Sequence, residues 1–295
     1  MACADLAVGN TIAIEDSMGA VETPSGKGAA DENFPVGSFL VARRLRPHIA
    51  RFYAFARAID DIADNPALEP PDKIARLDAM DRALIGAGAD DPACVKAHRI
   101  RDSLLETGVT VSHCRDLIVA FRQDATKLRY KDWTELRHYC RYSATPVGRY
   151  LLDLHGESRE AYPANDALCD ALQVINHLQD CQDDYRSLNR VYLPGDWMAA
   201  ESVGVEELDA TAASPGMRRV FDRTLDRVEA LLVEAAPLPG RLRSRRLAME
   251  TAVILEVARR LAGMLRRRDP IAGRVKLDPM QFALCGVRGL WRALI

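Results

Sequence analysis

The sequence predicts an all-α fold, and three observations carry that expectation. From Asn33 onward the apolar residues recur at helical rather than alternating spacing. Neither an Asn-Gly nor an Asp-Gly hairpin turn occurs and β-branched alternation is sparse, so sheets have little foothold. Proline and glycine breaks fall far enough apart to leave roughly nine to eleven helices, most longer than the usual mean of about 11–12 residues. With 295 residues, 48% hydrophobic and 28% charged, the chain can bury a large core, which excludes wholesale disorder and low-complexity classes. Its 40 basic against 42 acidic residues give a net charge of −2, so no overall field selects nucleic acid or anionic lipid.

Taken in order, residues 1–30 lack the basic start and apolar run of a signal peptide, carrying Asp5, Glu15, Asp16 and Glu22 amid small residues, and read as a mobile tail. Residues 31–295 contain no interior linker and no repeat, and read as one helical domain. Breaks are expected at Asn65-Pro66, Glu69-Pro70-Pro71, Gly86-Ala87-Gly88, Asp91-Pro92, Thr107-Gly108, Tyr162-Pro163, Leu193-Pro194-Gly195, Ser214-Pro215-Gly216, Pro237-Leu238-Pro239-Gly240 and Asp269-Pro270. The arginines at 241, 243, 245, 246, 259, 260 and 266–268 make the last third locally basic, in the pattern of a solvated helix face. Seven scattered cysteines without a Cys-x-x-Cys pair support neither a disulfide framework nor a zinc site. No stretch reaches the ~18 apolar residues of a membrane span, and the expected location is the cytoplasm.

Two segments carry chemistry. In Ile49 to Asp64, the helical wheel puts Ile49, Phe52, Tyr53, Ala56, Ile59 and Ala63 on one apolar stripe, with Asp60 inside it, Arg57 and Asp64 at its edge and Asp61 pointing away. A carboxylate on a buried side needs a cation, a metal or hydrogen-bond donors. By itself the cluster fits equally well a helix end in which Arg57 pairs with Asp60. In Leu168 to Arg190, Asn176, Asp180 and Asp184 line up at i, i+4 and i+8, flanked by Gln173 and His177. Such a column costs only about 0.2–0.5 kcal/mol per like-charge pair, so a solvated face would tolerate it.

The pair is harder to dismiss. Both clusters repeat Asp-x3-Asp, as Asp60/Asp64 and Asp180/Asp184. Facing helices would gather four carboxylates, a repulsive rim unless a divalent cation fills it, and at an effective dielectric of ~20 each unit-charge contact at ~4 Å is worth about 4 kcal/mol. Mg²⁺ favours one or two carboxylates together with water and phosphate oxygens, which points to a diphosphate or triphosphate substrate. A Walker loop and a Gly-x-Gly-x-x-Gly turn are both absent, so side chains must hold the phosphate, with Arg57 and Arg190 best placed to do so. Phe34, Phe52, Tyr53, Phe55, Tyr139, Tyr142 and the Tyr150-Leu151-Leu152 step are candidate walls for a hydrocarbon, although each also fits plain core. Aromatic faces would stabilise a passing carbocation by ~0.5–2 kcal/mol each. A proline interrupts Ser143-Ala144-Thr145-Pro146-Val147-Gly148, either to open space for a ligand or to let helices cross closely.

These motifs, Tyr53-x3-Arg57-x2-Asp60-Asp61-x2-Asp64, Tyr139-Cys140 with Val147-Gly148, Asn176-x3-Asp180-x3-Asp184 and Arg190-Val191-Tyr192-Leu193-Pro194, resemble those of the squalene and phytoene synthases, the head-to-head prenyl synthases. The resemblance spans about residues 33–283 and is strongest to the bacterial hydroxysqualene synthase branch, through Asn33-Phe34-Pro35-Val36-Gly37, Asp64-Asn65-Pro66-Ala67-Leu68 and Ser143 to Gly148. It implies an isoprenoid synthase bundle with a central cavity, and a Mg²⁺-dependent enzyme that ionises presqualene diphosphate and quenches the rearranged cation with water in hopanoid biosynthesis, without NADPH. By the same resemblance Asp60, Asp64, Asp180 and Asp184 are the metal ligands. Arg57, Asn176 and Arg190 hold diphosphate, with Asp61 a weaker ligand of the site. Tyr53, Tyr139 and Tyr192 lie near the reacting centre, Phe34 touches substrate, and Val147 and Gly148 line the tunnel. Gln179 stands where several relatives carry arginine.

Two other readings remain at this point: an enzyme condensing two prenyl diphosphates to presqualene diphosphate, squalene or phytoene, and a non-catalytic lipid-binding subunit. Enzymes of the squalene pathway are expected partners. A thirty-carbon product also implies transient contact with the inner-membrane surface through an exposed apolar mouth.

Overall fold

The computed structural model describes Val21, residues 41–87 and residues 91–294, so Phe34 and all of the 1–30 tail except Val21 lie outside the described residues. Thirteen α-helices follow one another among them: α1 (Arg46–Asp64), α2 (Pro70–Leu84), α3 (Val95–Thr107), α4 (Ser112–Asp124), α5 (Trp133–Ser143), α6 (Thr145–Leu154), α7 (Tyr162–Gln179), α8 (Cys181–Leu188), α9 (Gly195–Ala200), α10 (Pro215–Ala235), α11 (Leu238–Arg241), α12 (Arg245–Leu265) and α13 (Pro279–Leu294). Helix starts follow sequence rules: Asp132, Ser214 and Ser244 accept from the backbone N–H groups of Glu135, Met217 and Leu247, and prolines occupy the first turns of α1, α2, α6, α7 and α10. The six cysteines among the described residues are free.

Two apolar clusters organise the bundle. One gathers α1 to α4 around Phe55, Ile59, Leu77, Ile100 and Leu117. There the Tyr150 ring, from α6, stacks on Phe52 at 3.9 Å and its hydroxyl donates to the His48 carbonyl at 3.1 Å. The other runs through α5, α7, α10 and α12. Phe52, Phe55 and Tyr150 are therefore core and not walls of a ligand site.

Three features depart from the expected plan. A small parallel pair, β1 (Arg129–Tyr130) with β2 (Val191–Pro194), joins segments about 60 residues apart, a non-local pairing that no local periodicity reveals. The helix read over Leu168 to Arg190 is interrupted at Asp180, but the Asp180 N–H still donates to the Asn176 carbonyl (2.9 Å) and the Asp184 N–H to the Asp180 carbonyl (2.8 Å), so the acidic column keeps its register. The chain also breaks at Ala144 between α5 and α6. A Cβ on Gly148 would meet Asn165 Oδ1 and Cys169 Sγ at 2.5 Å, so this glycine serves the close crossing of α6 on α7.

Candidate active site

Where the two clusters meet, the structure opens a cavity with about 1000 Å³ of empty space counted out to its mouth. From α1 it takes Tyr53, Ala56, Arg57, Asp60 and Asp64, which recur at helical spacing and so share one face. Helix α4 gives Phe121 and Asp124, α5 gives Tyr139 and Ser143, and α7 gives Gln173, Asn176 and His177. Asp180, Asp184, Leu188, Arg190 and Tyr192 complete the wall. Both Asp-x3-Asp pairs thus face one space.

The wheel misassigned one neighbour. Asp61 is buried at 5% exposure, off the cavity, because α1 is covered by α2, α3 and α4 on more than one side. It accepts from Arg57 Nη2 at 3.1 Å while Arg57 Nη1 lies 2.9 Å from Asp60 Oδ2, so Asp61 anchors the arginine instead of touching a ligand. Val147 and Gly148 are not cavity residues either: Val147 is 37% exposed on the outside of α6, and Gly148 is the crossing point just described. Of the candidate aromatic walls among the described residues, Tyr53 and Tyr139 line the space, and Tyr142 packs against the second core cluster.

Asp60, Asp64 and Asp180 each have a defined electrostatic setting. Withdrawal from bulk water, then repulsion by Asp64, pushes the Asp60 carboxyl far above its ordinary range despite Arg57. Asp64 accepts from Arg190 Nη1 at 2.5 Å, and the same guanidinium donates to the Ala63 carbonyl at 3.0 Å, closing the C-terminus of α1. Burial would lower Arg190, but Tyr192, Asp124 and Asp64 more than reverse that, so it stays charged. Asp180 meets Arg274, whose Nε lies 2.9 Å from Oδ1 and whose Nη2 donates to Oδ2 at 3.2 Å. Among the described residues no three His, Cys, Asp or Glu side chains come close enough to cage a metal by themselves.

Two residues of the site, Asp124 and Arg274, carry no readable signal in the sequence. Asp124, 3% exposed, accepts from the Tyr139 hydroxyl (2.7 Å) and the Tyr192 hydroxyl (3.0 Å), and burial pushes it up to about 6. The two phenols, raised by burial and by Asp124, stay protonated, and their rings pack 5.4 Å apart. His177 stacks on Tyr192 at 3.8 Å, and burial lowers it to about 3, so it is neutral. Its Nε2 and the Ser143 hydroxyl are buried with no hydrogen-bond partner among the described residues. Arg274 lies beyond the arginines at 241–268 that read as a solvated face, and the sequence does not single it out. Gln179 turns from the cavity and donates to the Val275 carbonyl at 2.5 Å, bracing the loop that carries Arg274.

Asn189 ends α8 in the left-handed region (φ 51°), which asparagine tolerates, and its side chain accepts from Arg129 at 2.7 Å. That turn and the Val191 N–H to Leu128 carbonyl bond (2.9 Å) deliver Arg190 and Tyr192 into the wall.

Comparison with known proteins agrees with this geometry. A family model described as squalene/phytoene synthase matches residues 28–281. The hydroxysqualene synthase of Rhodopseudomonas palustris is 46% identical over 90% of each chain, and that of Sinorhizobium fredii is 43% identical over 87% of each. The crystal structure of a squalene synthase, HpnC, from Alicyclobacillus acidocaldarius superposes with a TM-score of 0.71 at 33% identity, covering 81% of this chain and 90% of that one. With both acid pairs facing one helical cavity, the chain belongs to the squalene/phytoene synthase family.

Proposed function

We propose that this protein converts presqualene diphosphate to hydroxysqualene, as the names of its 43–46% identical relatives suggest. The observation that carries the reading is the single cavity lined by Asp60, Asp64, Asp180 and Asp184 together with Arg57 and Arg190. The acids fit magnesium in the manner this ion prefers: two carboxylate pairs, no closed protein cage, and room for phosphate oxygens and water. Burial first, and then the neighbouring Asp64, raise the Asp60 carboxyl, so a cation placed beside these two acids would favour their charged forms. Bound there, Mg²⁺ would supply the charge that makes diphosphate a good leaving group.

The protein's own groups do the rest. Arg57, Arg190 and Arg274 are each paired with an acid, and exchange of those acids for phosphate oxygens turns three neutralised guanidiniums into a diphosphate clamp. The C–O bond breaks with its electron pair leaving on diphosphate. Tyr139 and Tyr192, locked by Asp124, hold their rings beside the place where the cation forms. Water then adds to the cation, one C–O bond forms and one proton is lost, so no reductant is required. Ser143 Oγ and His177 Nε2, wall atoms with no hydrogen-bond partner among the described residues, suit the holding of that water.

The test is incubation of the purified protein with presqualene diphosphate and Mg²⁺, which should give the alcohol without NADPH. Formation of squalene alone, and only with NADPH, would reject the reading. Consumption of farnesyl or geranylgeranyl diphosphate alone would select the condensing alternative.

A further inference from the structure

The last helix is built inside out. Setting α13 on a wheel, two small residues bring it close to α12, Cys285, 6% exposed, and Gly289, where a Cβ would lie 2.6 Å from the Val253 Cα, and Arg292 pairs with Glu256 beside them. The opposite face carries the large apolar side chains: Met280 (71% exposed), Leu284 (51%), Val287 (67%) and Trp291 (67%), at i, i+4, i+7 and i+11. A surface helix normally presents its polar side to water, so a stripe this long marks an interaction surface. Among the described residues no helix is long and apolar enough to cross a membrane, so the stripe lies on a surface and does not span one.

The charge around it identifies the partner. Residues 279–294 include arginine but no acid, and Arg260 and Arg288, both exposed beside Cys285, make no ion pair among the described residues. An apolar stripe with an aromatic residue and unpaired arginines alongside is the pattern of a helix lying in the headgroup region of an anionic bilayer. The helix is also close to the active site along the chain: Pro279 lies five positions after Arg274, at most about 18 Å of extended chain. The family match ends at residue 281, so almost all of α13 lies outside it.

We infer that α13 docks this protein onto the surface of an anionic lipid bilayer, with Met280, Leu284, Val287 and Trp291 immersed and Arg260 and Arg288 on the headgroups. The choice of a lipid partner rests in part on the oily substrate proposed above.

Flotation of the full-length protein with phosphatidylglycerol/phosphatidylcholine vesicles tests it. Binding is expected, falling with salt and falling by about tenfold or more for Leu284→Glu/Val287→Glu and for Arg260→Glu/Arg288→Glu. These residues are exposed, and a circular dichroism melt checks each variant's fold. Trp133 and Trp197 stack on each other, so quenching by brominated lipid should report Trp291 and vanish in Trp291→Ser. No flotation of the wild type, equal flotation of the variants, or loss of a wild-type dimer in Leu284→Glu/Val287→Glu with no lipid binding would overturn it. Alcohol formation in detergent is scored separately: turnover without flotation sinks the docking alone, and flotation without turnover sinks the enzymatic reading alone.

Discussion

Arg190 donates to Asp64 at 2.5 Å across 126 residues of sequence, and with its second amino group it also holds the Ala63 carbonyl. One guanidinium thereby ties the first acidic helix to the segment after the second. Replacing it by lysine keeps the charge but loses the fork. Arg190→Lys should cost about 1–3 kcal/mol of stability and raise the KM for the diphosphate substrate, read by thermal melting and steady-state kinetics.

Asp60 and Asp180 belong to opposite acid pairs. Asp60→Asn and Asp180→Asn should each lower diphosphate release by ~10²-fold or more without unfolding the protein. In the wild type, Mg²⁺ with pyrophosphate should raise the melting temperature, since a ligand at a hundred times its dissociation constant adds about 2.7 kcal/mol. The two variants should lose most of that shift, and a chelator should abolish turnover. A full shift in both variants would remove the acids from the metal site.

The Asp124 carboxyl titrates at about 6 in the folded protein against 3.8 ordinarily, because burial disfavours its charge. The folded state therefore binds the extra proton in that window, and stability is largest below it and is lost as pH rises through it. At about 1.4 kcal/mol per unit the effect is on the order of 3 kcal/mol. Asp60, raised in the same direction, extends the loss to higher pH. Asp124→Asn keeps a partner for the two phenols and should flatten the pH dependence of urea unfolding between about pH 4 and 6.

If Ser143 and His177 hold the quenching water, His177→Phe and Ser143→Ala should lower the alcohol fraction among thirty-carbon products and raise elimination hydrocarbons. The ratio per diphosphate released is the readout, whatever happens to the overall rate. His177→Gln, which keeps a polar atom, should restore part of the alcohol. An unchanged ratio in all three would place the water elsewhere.

Gly148→Ala puts a methyl group against Asn165 and Cys169 at the α6–α7 crossing. Overpacking there should cost about 1–3 kcal/mol with the product profile unaltered. A changed profile at normal stability would return Gly148 to the substrate tunnel.

The sequence by itself determined the all-helical character, the two Asp-x3-Asp columns and the family, because each rests on spacing along a few turns of chain. It also named Tyr53, Arg57, Asp60, Asp64, Tyr139, Asn176, Asp180, Asp184, Arg190 and Tyr192, all of which meet in one cavity. Only the tertiary structure decided that Asp61 is buried as an anchor for Arg57, that Gly148 packs a crossing, that Asp124 locks two tyrosines, that Arg274 reaches Asp180 and that α13 wears its apolar side outward. The physical reason is common to all five. A wheel has no knowledge of what covers each side of a helix, and burial, pairing and exposure are set by neighbours that arrive from distant parts of the chain.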